Sequence, residues 1–149
     1  MDNVAVLQKV LQIREQEKTI AQKEKNEATV IFEKQATALY ELLKKKEHAE
    51  VLMNQYMQTY TSIEKIKEQS MFIQSMTRKA STLQQNVQQA REKMLEKQAY
   101  LTKTHIEMKK IEKLIERKKQ ARQEELIREE NILMDERSIR QFTSSIQNR

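Results

Sequence analysis

The chain has 149 residues, of which Lys, Arg, Asp and Glu make up 34% and aromatic residues 5%, with a formal net charge of +6. So charged a composition leaves too little apolar bulk for a thick globular core. Gly, Pro and Cys are absent, which argues against a fold of many short elements joined by tight turns and excludes disulfides and thiolate chemistry.

Disorder is the rival that low hydrophobicity and high charge invite. The density of Glu, Lys, Gln, Leu, Ile, Met and Ala, with no breaker among them, points to long helices instead. The chain begins "MDNVAVLQKV", without a cationic segment leading into a long apolar run. No window approaches the roughly eighteen consecutive apolar residues of a membrane span. The expectation is a soluble chain outside the usual secretory route, and the lack of cysteine is compatible with a reducing cytoplasm.

A first arm, about residues 3–60, carries a heptad series Val10, Ile13, Glu17, Ile20, Glu24, Glu27, Ile31, Gln35, Ala38, Leu42, Lys45, Ala49, Leu52 and Tyr56. Its polar members make it a poor homodimeric seam, although Ala28, Phe32, Leu39 and Leu43 widen the apolar face. A turn is expected at about residues 58–62, in "QTYTSIE", where Thr61 followed by Glu64 fits a capping box. Tyr56, Tyr60 and Phe72 flank it, with Met53, Met57, Met71 and Met76 beside them. They suit either a closed hairpin tip or an adaptable contact patch.

The second arm, about residues 62–142, holds the strongest signal. Steps of three and four from Ile73 reach Met76, Ala80, Leu83, Val87, Ala90, Met94, Lys97, Leu101, Thr104, Met108, Ile111 and Ile115, apolar at all but two positions. An intramolecular antiparallel hairpin lets this seam compensate the weaker one. The heptad phase also runs unbroken through Thr59, Ile63, Ile66 and Ser70, so periodicity alone permits one continuous helix in a parallel dimer. The capping signal and the unequal seams favour the hairpin: an all-α, long antiparallel two-helix coiled coil, a single domain over 1–149 with a polar tail at 143–149.

Little in the chain suggests chemistry. Without glycine no phosphate-cradling loop can be built, and no G-x-S-x-G or H-E-x-x-H pattern occurs. His48 and His105 stand apart from any ligand pattern, and a two-helix rod has no cleft in which to tune a carboxylate. The expectation is a protein that is not an enzyme, takes no cofactor, metal or small-molecule substrate, and works by binding. Charge is segregated: residues 103–122 hold eight Lys or Arg against three Glu, and residues 121–136 hold two Arg against six acidic residues. The basic run lacks interleaved aromatics for base stacking and adjoins the acidic one, so nucleic acid is not the expected partner.

Two stretches are less generic than heptads. In "SIEKIKEQSMFIQSM", residues 62–76, Phe72, Ile73 and Gln74 keep a Q-F-I-Q-x-L pattern, with Met76 in the place of Leu and Met71 departing from it. In "MDERSIRQF", residues 134–142, Met134, Asp135 and Glu136 open a similar C-terminal landmark. On these the chain resembles, along nearly its whole length, the FliJ family of the bacterial flagellar type III export apparatus. The resemblance implies an antiparallel two-helix coiled coil similar to the γ stalk of rotary ATP synthases. It implies that the N- and C-terminal segments enter the central hole of the hexameric export ATPase, with Leu7, Leu11, Met134, Asp135, Glu136 and Gln141 as contacts. It also implies that the hairpin touches the membrane-embedded export gate through Leu42, Phe72 and Met76, with Leu83 at a further position of changed residue type. Lys45 and Ala49 stand where the family tends to have tyrosines, so that either Tyr40 or Tyr56 takes that role or the gate surface differs.

The function implied is non-catalytic coupling of ATP hydrolysis to proton-driven export, with export chaperones as further partners. The free chain is expected to be a monomer, cytoplasmic and peripherally associated with the cell membrane at the flagellar base. A virulence-type secretion stalk, a structural coiled-coil dimer and a basic nucleic-acid-binding arm are the alternatives.

Overall fold

A computed structural model describes residues 3–59 and 61–148. Among them are two helices and no strand: α1, Asn3–Gln58, of 56 residues, and α2, Ile63–Gln147, of 85. The fold is an all-α helical hairpin. The chain divides into two units, Thr19–Lys103, which holds the turn, and a second made of the residues up to Lys18 with those from Thr104 on.

The connection is made without glycine, and no described residue has a positive φ. Hydroxyl groups do the work instead. Thr59 Oγ1 donates to the Gln55 carbonyl at 2.9 Å, holding the end of α1, and lies 3.1 Å from Thr61 Oγ1. The helix start differs from the capping box expected at Thr61 and Glu64. Lys65 N–H donates to Ser62 Oγ at 3.4 Å, and the Ser62 carbonyl accepts from Lys65 and Ile66. Ser62 is therefore the N-cap, because its hydroxyl reaches the third helical amide while that of Thr61 is turned to Thr59. Tyr60, expected beside the turn, lies outside the described residues.

In the turn-bearing unit the helices run antiparallel. Gln69 Nε2 on α2 donates to the Ala49 carbonyl on α1 at 2.9 Å, and further along Lys97 Nζ meets Glu24 Oε2 at 3.1 Å. As α2 numbers rise, α1 numbers fall. The α2 seam is the expected series: every position from Ile73 to Leu101 is buried or half-buried, with Met76 and Ala80 best covered.

The first half of the α1 seam is a correction. Up to Ile31 the expected series leaves its isoleucines outside, Ile20 58% exposed and Ile31 52%, and Ala21 and Ala28 are buried instead, with Phe32 half-buried. From Gln35 on the expected series holds at Gln35, Ala38, Leu42 and Tyr56, half-buried, and at Ala49, buried, with Leu39 and Met53 half-buried beside them. The reason is steric. Alanine is small enough for two helices to pack closely, and Lys25 and Lys46 are half-buried in the same rows, with Lys46 Nζ 3.7 Å from Glu50 Oε1. Branched isoleucines at those positions would hold the helices apart.

In the other unit Thr104, Met108 and Ile115 are buried, and Leu7, Leu11, Arg14 and Lys18 of α1 are half-buried. Ile13, expected on the seam, is 55% exposed, since Leu11 and Arg14 on either side of it are the positions covered. Ile115 ends the burial, and every residue from Glu116 to Asn148 is exposed. The heptad series ends at that same residue, since Lys118 and Arg122 occupy its continuation. Nor does the helix stop at the expected polar tail. It continues through Gln147 because nothing in "TSSIQNR" breaks it, and Thr143 Oγ1 satisfies the Ile139 carbonyl at 2.9 Å.

Candidate partner-binding surfaces

Among the described residues no side chain is both large and fully enclosed, so what the fold presents outward matters more than what it hides. Two places gather the residues singled out by sequence.

The first lies in the turn-bearing unit. Leu42 and Leu83 line one open groove of ≈ 540 Å³ together with Glu41, Lys45, Arg78 and Lys79. Phe72 and Met76 line another, of ≈ 300 Å³, with Lys45, His48, Leu52 and Gln69. Lys45 belongs to both, so the fold brings all four leucine, phenylalanine and methionine candidates to one stretch of surface. Their exposure differs: Phe72 is 50% exposed, Leu42 and Leu83 are half-buried, and Met76 is 7% exposed. Met76 thus packs beneath the surface and supports Phe72 more than it offers itself. The cations Lys45, Arg78 and Lys79 were not singled out for this surface. Their signal was available, since Lys45 lies one turn of helix from Leu42, and Lys79 one turn from Leu83.

The second place is the exposed stretch of α2. Met134 is 65% exposed and, with Leu133, Glu136, Arg137 and Arg140, borders a bay on the helix surface. Asp135, Glu136 and Gln141 are exposed too. Leu7 and Leu11 are half-buried on α1 and are not brought onto this stretch. Met134 lies beyond Ile115 by about 29 Å of helical rise, past the reach of a helix that begins at Asn3. α1 is too short to bring Leu7 and Leu11 alongside Met134. Apolar side chains on the stretch face opposite ways. Leu126 and Leu133 continue the seam side, while Ile132, Ile139, Phe142 and Ile146, 52–68% exposed, lie on the other.

Among the described residues no helix is long and apolar enough to cross a membrane, and no group of His, Cys, Asp or Glu could hold a metal ion.

The features above define a class, a helical hairpin whose surfaces offer more for protein contact than its interior does for chemistry. Comparison with known proteins names the family. The model of the flagellar FliJ protein family matches residues 3–146, and the chain is similar to the flagellar FliJ protein of Bacillus subtilis (strain 168), 31% identical over 135 residues that cover 91% of this chain and 92% of that one. No solved structure matches. The chain belongs to the FliJ family and is a flagellar export-related protein.

Proposed function

We propose that the chain is a non-catalytic stalk that binds the hexameric flagellar export ATPase by its C-terminal helix and the membrane export gate by the grooves near Phe72. ATP hydrolysis by the partner is thereby coupled to proton-driven export of flagellar subunits. The observation that carries this reading is the stretch beyond Ile115: a helix without a neighbour, every residue exposed, with large apolar side chains on opposite faces. A helix apolar on one side suits a groove, whereas one apolar on both suits an enclosing sleeve such as the hole of a ring. Its acidic residues Glu129, Glu130, Asp135 and Glu136 complement a cationic lining.

At the other place, an exposed aromatic beside half-buried leucines and a rim of Lys45, Arg78 and Lys79 suits a partner segment with apolar anchors and carboxylates. Leu7 and Leu11 take part at the ATPase end only if the ring also encloses the start of α1. Export chaperones are further partners on this reading, and the working location is the cytoplasmic face of the flagellar base.

The test adds the purified chain to purified flagellar export ATPase and follows hydrolysis. The chain should raise the rate, and Asp135→Lys with Glu136→Lys should abolish the increase while leaving the helical signal intact. Phe72→Ala should leave that increase unchanged, cost about 1 kcal/mol of stability as a half-exposed ring, and weaken capture of the gate's cytoplasmic part. A rate that does not respond to the wild-type chain would remove the stalk reading.

A further inference from the structure

Beside the seam it gives to the hairpin, α2 carries a second stripe. Twelve positions from Ile106 to Ile146, at steps of three and four, fall within an arc about 80° wide, roughly 130° around the helix from Thr104, Met108, Ile111 and Ile115. All twelve are exposed. Their steps average about 3.6 residues, so the stripe runs straight along the helix.

Reversed about the level of Leu126, this stripe matches itself to within one residue. Ile106 falls opposite Ile146, Leu114 within one residue of Ile139 and Ala121 within one residue of Ile132, apolar against apolar each time. Arg117 falls opposite Asp135 and Glu124 opposite Arg128, each cation facing a carboxylate. Lys110 falls opposite Phe142; its ammonium already leans to Glu107 at 3.5 Å, which leaves its stem for the ring.

We propose that this stripe packs against the same stripe of a second copy of the chain, antiparallel, about a two-fold axis that passes between Glu124 and Arg128. The interface is isologous: each pairing occurs twice. Charge chooses this occupant over others. An anionic lipid surface or a nucleic acid would attract the basic part of α2 and be repelled by the part from Glu124 to Glu136, whereas a reversed copy satisfies both. The strip is about 60 Å long and about one helix diameter, ~10 Å, wide, which approaches the ~800 Å² per partner of an ordinary specific interface. The pairing does not rest on the stalk reading and replaces the monomer expected for the free chain.

The test is sedimentation of the full chain across a dilution series. The wild type should be a dimer that dissociates on dilution. Arg117→Asp and Asp135→Arg, each placing two like-charge pairs in the interface, should weaken association about tenfold or more. The double swap should restore it. A register test uses the absence of native cysteine: Ala121→Cys together with Ile132→Cys should form an interchain disulfide. Either alone should not, because like residues lie about 15 and 18 Å apart along the axis. A wild type monomeric throughout, a double swap as weak as its singles, or single cysteines that cross-link as readily as the pair would overturn the proposal.

Discussion

The seam of α1 can be tested by exchanging what the structure buries with what it leaves outside. Ile20 is 58% exposed, so it retains less than half of the ~1.5–3 kcal/mol that full burial of such a side chain contributes. Ile20→Ala should cost about 1 kcal/mol in lost burial and recover ~0.4 from the better helix propensity of alanine, a net loss of ~0.5. Ala28 is 6% exposed, on the inward face of α1. Ala28→Leu pushes three further carbons into that space, at ~1–3 kcal/mol, the low end applying because two helices can spread more readily than a globular core. Urea unfolding followed by circular dichroism reads both as shifts of midpoint at constant slope. The opposite ranking, with Ile20→Ala costing ~2 kcal/mol or more and Ala28→Leu neutral, would place the isoleucine row in the seam and refute the packing described.

Two further outcomes follow from the local geometry. Ser62→Ala should lose ~0.5–1 kcal/mol, low for an N-cap because the bond to Lys65 N–H is long at 3.4 Å, while Thr61→Ala should lose less; thermal unfolding of the two variants decides which residue caps α2. Glu24 and Lys97 form a partly exposed pair between the helices, with side chains 41% and 30% accessible. A double-mutant cycle should give a coupling of ~0.3–1 kcal/mol that shrinks as salt is raised, and a coupling of zero at low salt would mean that the pair does not help set register.

How much was legible depends on how many rows of apolar residues compete. On α2 one row dominates from Ile73 to Ile115, and burial follows it to its last residue. On α1 two rows compete. Up to Ile31 the row through Ile13, Ile20 and Ile31 is the heavier by side-chain volume, yet the row through Ala21 and Ala28 is the one buried; from Gln35 on the expected row and the buried row coincide through Leu42 and Ala49. Alanine scores poorly as a hydrophobe and well as a spacer, and spacing has no meaning until a second helix is in place. The same holds at the cap, where a pattern favouring Thr61 could not show that its hydroxyl would turn to Thr59. Among the candidate contacts, Met76 lies on the seam read from the sequence and is buried, and Phe72, one residue before the seam position Ile73, is half-exposed.

By itself the sequence determined that this protein is built of long helices and that its better seam ends at Ile115, because helix propensity, the absence of breakers and hydrophobic period are properties of the chain read in one dimension; for the turn near Ser62 it offered a capping signal and unequal seams, while its period also allowed one continuous helix. Tertiary structure decided which face of α1 is inside, which brought Leu42, Leu83 and Phe72 to one surface around Lys45, and left the isoleucines and the last turns of α2 in water. Those choices rest on how closely two backbones can approach and on where one helix runs out while the other continues, and both are facts about a pair of helices.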